Sequence, residues 1–194
     1  MPDHLAPRYP YPPLADLPDD VRARILAVQE KAGFVPNIFL MLARRPAEFR
    51  AFFAYHDALM EKDVGLTKAE REMIVVATSA INDCLYCVIA HGAILRIRAK
   101  NPRVADQLAV DYATAEITPR QKAMLDFALQ VARAPMALND ADFAALRAHG
   151  FSDEDIWDIG SIAGFFALSN RLAHFTRMPP NDEFYLMGRL PKTS

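Results

Sequence analysis

Cysteine is nearly missing from this chain, with two among 194 residues. Two thiols cannot frame a domain of this size with disulfides, and in a reducing compartment a close pair is more often catalytic or metal-binding than structural. Dense runs of Lys or Arg are missing too. The 22 basic residues against 24 acidic ones leave a net charge of −2, and nothing in the sequence tracks a phosphate backbone or an anionic membrane surface. Nucleic acid is therefore excluded as an expected partner. No stretch of about 18 apolar residues runs without a charge, and the start, Met1-Pro2-Asp3-His4, has neither a basic nor an apolar leader region. The expectation is a cytoplasmic protein without a membrane span. No stretch alternates like a half-buried strand either, which leaves an all-α fold.

What is present supports a real core. The chain is 52% apolar and 24% charged, in the range of ordinary globular domains, and one domain is the default at this length. Six of the 14 prolines fall in the first 18 residues, too densely for a helix or a central strand. Residues 1–18 are thus expected to form an extended arm, followed by a single all-helical domain over 19–194. Tyr9, Tyr11 and Leu14 make the arm apolar enough to pack on the body or on a neighbouring subunit, with disorder as the alternative.

Helical periodicity runs from Asp19 to Ala32 before Gly33, and Pro36 and Pro46 open further helices through Ala43 and Lys62. Thr67 with Glu70 forms a capping box for a strong helix that Asn82-Asp83 interrupts. Asp83 is the expected N-cap of the next helix, Cys84 to about Lys100. Helices follow near Val104–Tyr112, from Pro119 to Arg133, from Asn139 to Gly150, and from Glu154 to Thr176 after Ser152 and Asp155. The last is apolar on most sides and contains Gly160 and Gly164, so burial in a homo-oligomer interface is expected. A faint echo links the helix starts at Leu66-Thr67-Lys68 and Ile117-Thr118-Pro119.

The chemistry concentrates in Asp83-Cys84-Leu85-Tyr86-Cys87-Val88-Ile89-Ala90-His91. On a helix the two thiols and the imidazole share one face, the thiols can come within disulfide reach, and His91 lies one turn from Cys87, where it can take the thiol proton. A helix N-terminus favours thiolate, the form that attacks a peroxide oxygen. Two other readings stand beside this one. The cysteines could be ordinary buried apolar residues, or half of a zinc site, although the remaining candidates, His4, His56, His149 and His174, are scattered and a closed site needs four ligands. No metal or cofactor is expected.

The stretch Leu66-Thr67-Lys68-Ala69-Glu70-Arg71-Glu72, followed by Cys84-Leu85-Tyr86-Cys87 and His91, resembles the alkylhydroperoxidase D-like and carboxymuconolactone decarboxylase superfamily, whose signature is Glu, then CxxC twelve residues on, then His. The match covers roughly residues 64–100, and the length and Pro-rich start are most similar to its peroxidase-related branch. The resemblance implies that branch's helical bundle and a thiol-dependent peroxidase. Cys87 would be the peroxidatic cysteine, Cys84 the resolving one, His91 the base and Glu72 the far end of a proton relay. It also implies a hydroperoxide substrate and an external dithiol or redox-protein reductant. The residues alone read Glu72 as a surface acid stabilising the helix dipole. One departure is Tyr86, which stands where the well-known members have a second histidine; it cannot accept a proton near neutral pH, but could donate a hydrogen bond to a thiolate or peroxide oxygen. Competing functions are a decarboxylase or lactone-handling enzyme on the same scaffold and a non-enzymatic redox sensor. His56 reads as a core or interface histidine, and the Met-Phe cluster over 39–60 as core or as the wall of an apolar pocket.

Overall fold

Proline spacing decides how the chain begins. The computed structural model describes residues 6–189. From residue 6 to the 3-10 turn at Leu14–Asp16 the described arm has neither helix nor strand. It lies on its own body: the Arg8 N–H donates to the Thr176 carbonyl at 2.8 Å, the Tyr9 ring meets Phe175 edge-on, and Arg44 donates to the Pro10 carbonyl at 2.9 Å. Pro18 then N-caps α1 (Asp19–Ala32), which Gly33 ends at φ 84°, a left-handed conformation that glycine adopts without strain.

The chain continues through α2 (Asn37–Ala43), α3 (Pro46–Met60), α4 (Lys68–Ala80), α5 (Leu85–Ala99), α6 (Val104–Asp111), α7 (Pro119–Arg133), α8 (Asp140–Ala148), α9 (Asp153–Thr176) and α10 (Glu183–Leu186). No strand occurs among the described residues, and none of their helices is long and apolar enough to cross a membrane. The all-α expectation is met. Capping boxes form at Thr67/Glu70, Thr118/Gln121, Asn139/Asp142 and Ser152/Asp155, each removing orphan N–H groups and worth about 1 kcal/mol. The echo between Thr67 and Thr118 is thus one of helix starts, and the helices they begin, α4 and α7, pack on each other and on α9.

α4 is the centre of the bundle, touching α5, α6, α7 and α9, and it is buried from Glu70 to Ser79. Ile74, Val75 and Val76 are inaccessible to solvent, and full burial of such side chains contributes about 1.5–3 kcal/mol each for the larger ones. Arg71 is fully buried with them. It donates to the carbonyls of Leu59 and Val64 at 2.8 and 2.9 Å and to Asp158 of α9 at 2.9 Å. This ties the α3–α4 loop and α9 to the central helix, and α3 stops at Met60 rather than at Lys62. α9 is less enclosed than its composition implies: Trp157, Leu168 and Phe175 stay exposed, and a Cβ at Gly160 or Gly164 would meet nothing.

Candidate active site

The site begins where α4 hands over to α5. Asp83 is not the N-cap that the sequence predicts. It takes φ 52° in the left-handed region, which Asp tolerates better than most residues, as α4 ends, while the Cys84 N–H donates to the Ser79 carbonyl at 3.0 Å. Cys84 itself is the cap, its sulfur accepting the Cys87 N–H at 3.4 Å, so α5 starts at Leu85.

This turn brings the two sulfurs to 2.8 Å, both buried and not bonded to each other. The Cys87 thiol donates to Cys84 and holds its pKa down at about 7, against burial; the Cys87 backbone N–H and the charges of His174 and His91 add to the lowering. For the same reason Cys87 is pushed up: it is the donor of that bond and is buried, with Ser169 and Asn170 of α9 pulling weakly the other way. Of the two, Cys84 is therefore the first to lose its proton.

Glu72 and His91 form a second pair. Glu72 is buried on α4, with its Oε2 2.8 Å from His91 Nδ1, and the imidazole edge packs on Phe166 with ring centroids 4.7 Å apart. The surface position that the residues alone assign to Glu72 is overturned: α4 is central, so even its first turn is covered. No hydrogen bond joins His91 to either thiol among the described residues. Tyr86 is buried, and its hydroxyl oxygen accepts the Ile38 N–H at 3.2 Å, which fixes the phenol against the start of α2; burial pushes its pKa up.

The polar support behind the thiols joins residues far apart in sequence and carries little sequence signal. Asn170 donates to Ser79 and accepts from Asn82, both at 2.9 Å, and His174 meets the Asn82 carbonyl at 2.8 Å. The one signal was the adjacent Ser169-Asn170 pair on a helix otherwise rich in apolar residues. His149 caps the far end of α8, and His4 lies outside the described residues.

Beside this cluster runs a cavity of about 590 Å³. α5 lines it with Tyr86, Ala90, His91, Ile94 and Arg98, and it is closed by Phe52, Phe53 and His56 of α3 and by Phe166 and Ser169 of α9. The Met-Phe segment therefore supplies pocket wall as well as core. His56 is largely buried, its Nδ1 is 3.1 Å from Asp57, and burial lowers its pKa. A buried, polarised imidazole and a thiolate beside an apolar cavity can perform nucleophilic attack with water largely kept out.

The profile of the Carboxymuconolactone decarboxylase family matches residues 46–130, a span that contains Glu72, Cys84, Cys87 and His91. No curated protein sequence matches the chain. Among solved structures, the alkylhydroperoxidase AhpD core, an uncharacterized peroxidase-related protein from Ralstonia eutropha JMP134, is 71% identical over 96% of this chain and 98% of its own, with a TM-score of 0.94. A peroxidase-related protein from Silicibacter sp. TM1040 is 41% identical over 94% and 96%, with a TM-score of 0.89. The debrominase Bmp8, at 18% identity over 87% and 90% and a TM-score of 0.70, shares the fold.

Proposed function

The chain belongs to the carboxymuconolactone decarboxylase family, in its alkylhydroperoxidase D-like group, and from that premise we propose that it is a thiol-dependent peroxidase that cycles Cys84 and Cys87 between dithiol and disulfide. The observation that carries this reading is the 2.8 Å contact between two buried sulfurs, next to the Glu72–His91 pair and an apolar cavity.

His91 takes one of the two thiol protons, and a shift of the other across the sulfur contact puts the thiolate on Cys87, beside Ser169 and Asn170. Cys87 attacks the terminal peroxide oxygen. The O–O bond breaks, the leaving alkoxide takes the proton from Cys84 and departs as the alcohol, and Cys87 becomes a sulfenic acid. The Cys84 thiolate then attacks the Cys87 sulfur and expels hydroxide, which leaves as water with a proton from His91. An external dithiol reopens the disulfide by exchange. The site thus needs a reductant from outside, and a reducing cytoplasm suits its free thiols. Self-association belongs to the same proposal, because α9 leaves Trp157, Leu168 and Phe175 in solvent; a strict monomer in light scattering at micromolar concentration would count against it.

The test is peroxide consumption with several dithiols, comparing wild type with Cys87→Ser and His91→Ala. Catalytic turnover in wild type and its loss in Cys87→Ser are expected. A single oxidation without turnover makes the protein a sensor, and equal activity in all three removes thiol chemistry altogether.

A further inference from the structure

Cys87, His91, Ile94 and Arg98 follow one another on α5 at intervals of four, three and four, so they form one stripe along the helix. His91, Ile94 and Arg98 all face the cavity. The stripe carries the chemistry at its N-terminal end and a cation at the other, about 16 Å apart along the axis at the usual helical rise. Between them the opposing walls are the rings of Phe52, Phe53 and Phe166.

The cationic end is incompletely satisfied. Arg24, Lys31 and Arg98 face Asp57 and Glu61 there, an excess of one positive charge. Arg24 is occupied by Asp57 at 2.7 Å and by the face of Phe53. Arg98 gives Nη2 to Glu61 at 2.8 Å, but its Nη1 is shielded from solvent and has no partner. Glu61 is itself shared with Lys68. Lys31 has no carboxylate within ion-pair distance among the described residues. A shielded guanidinium N–H without an acceptor is costly, and a carboxylate is the group its geometry fits.

We propose that the cavity takes a long-chain hydroperoxide with a carboxylate at the end remote from the peroxide, and that Arg98 receives that carboxylate. The proposal rests on the peroxidase reading for the reacting end, while the binding it describes needs no turnover. The acyl chain lies along the phenylalanine wall, the acid sits at Arg98 with Lys31 nearby, and the peroxide reaches Cys87 and His91. A small neutral peroxide leaves the cationic end unused.

Binding is measured by calorimetry with a long-chain hydroxy fatty acid, which has no O–O bond, and with its methyl ester. Wild type is expected to bind the acid about tenfold more tightly than the ester, equivalent to about 1.4 kcal/mol. Arg98→Met should bring the two affinities together while the ester still binds, and Arg98→Lys should fall between. Glu61→Gln, which frees Arg98, should tighten the acid. Equal binding of acid and ester by wild type, a preference that survives in Arg98→Met, or tighter binding of a short aromatic carboxylate overturns the proposal. Discrimination between acid and ester without peroxide turnover supports the site and removes the peroxidase reading alone.

Discussion

His91 Nδ1 lies 2.8 Å from Glu72 Oε2, so in the neutral imidazole the proton sits on Nδ1 and the lone pair is left on Nε2, the nitrogen available to a thiol or a substrate. Glu72 orients the base and stabilises the imidazolium that forms. Removing the base should cost about 10²–10⁴ in kcat/KM, the usual contribution of a positioned general base. Glu72→Gln keeps the shape but not the charge, and a smaller loss of kcat/KM is expected. Steady-state kinetics checks it: an unchanged kcat/KM in Glu72→Gln would separate Glu72 from the relay.

The thiols should not titrate alike. Cys84 is held at about 7 by the Cys87 donor, whereas Cys87 is pushed up, so ultraviolet thiolate absorbance should show one thiolate per chain forming near pH 7 and the second only well above the ordinary value of about 8.5. Cys87→Ala deletes the donor and should return Cys84 upward. Cys87→Ser keeps an O–H donor and should hold it down. Two thiols rising together near the ordinary value would exclude the shared charge.

Much of this arrangement is local and therefore legible. Thr67 with Glu70 and Ser152 with Asp155 announce their helices because a capping box is written within four residues. The failures are of two kinds. Asp83 is ambiguous in principle, since the short polar side chain that makes Asp a good cap also lets it take the left-handed position, and only the competing sulfur of Cys84 decides between them. Arg71 with Asp158 and Asn170 with Ser79 join residues far apart in sequence, and neither partner signals the other. Glu72 is a mixed case: its spacing to the cysteines is visible, but its burial follows from α4 being covered on all sides, a property of the bundle.

Arg71 is a fully buried cation with Asp158 as its counter-ion, and Asp158 also takes Lys62 at 2.7 Å. Removing one partner strands the other, at a cost of about 3–5 kcal/mol. Asp158→Asn should therefore lower the urea midpoint strongly without touching the thiols. Arg71→Met with Asp158→Leu should recover part of the loss, because desolvation of both charges is relieved together. An Asp158→Asn protein as stable as wild type would mean that the pair is not buried.

His56 gives the fold an acid sensitivity. Its pKa lies below 6.5, chiefly because burial opposes charge; the nearby His91 lowers it further, while Asp57 and Glu72 raise it. The unfolded chain therefore takes a proton at His56 before the folded one does. Stability from this residue is intact above about pH 6.5 and is lost as the pH falls towards the folded pKa. His56→Gln should flatten this part of the profile, measured as thermal midpoints between pH 7 and 5 at constant salt. A wild type whose stability rises over that interval on acidification contradicts the assignment.

Gly65 couples the α3–α4 loop to the start of α9. It sits at φ +73°, and a Cβ there would lie 2.6 Å from Asp155 Oδ1. The other oxygen of Asp155 accepts from the Ser152 N–H at 2.9 Å and from its hydroxyl at 2.7 Å, closing the α9 capping box. Gly65→Ala therefore does two things at once. It forces an L-residue into the left-handed region, costing about 1–2 kcal/mol, and it displaces Asp155, which forfeits the cap at about 1 kcal/mol more. Ser152→Ala removes the cap alone and should cost about 1 kcal/mol. The two losses share the cap term, so the double variant should be less destabilised than the sum of the singles, by about that shared kilocalorie. Strict additivity in denaturant unfolding would mean that Asp155 does not move when the loop is disturbed, and that the penalty at Gly65 is backbone strain alone.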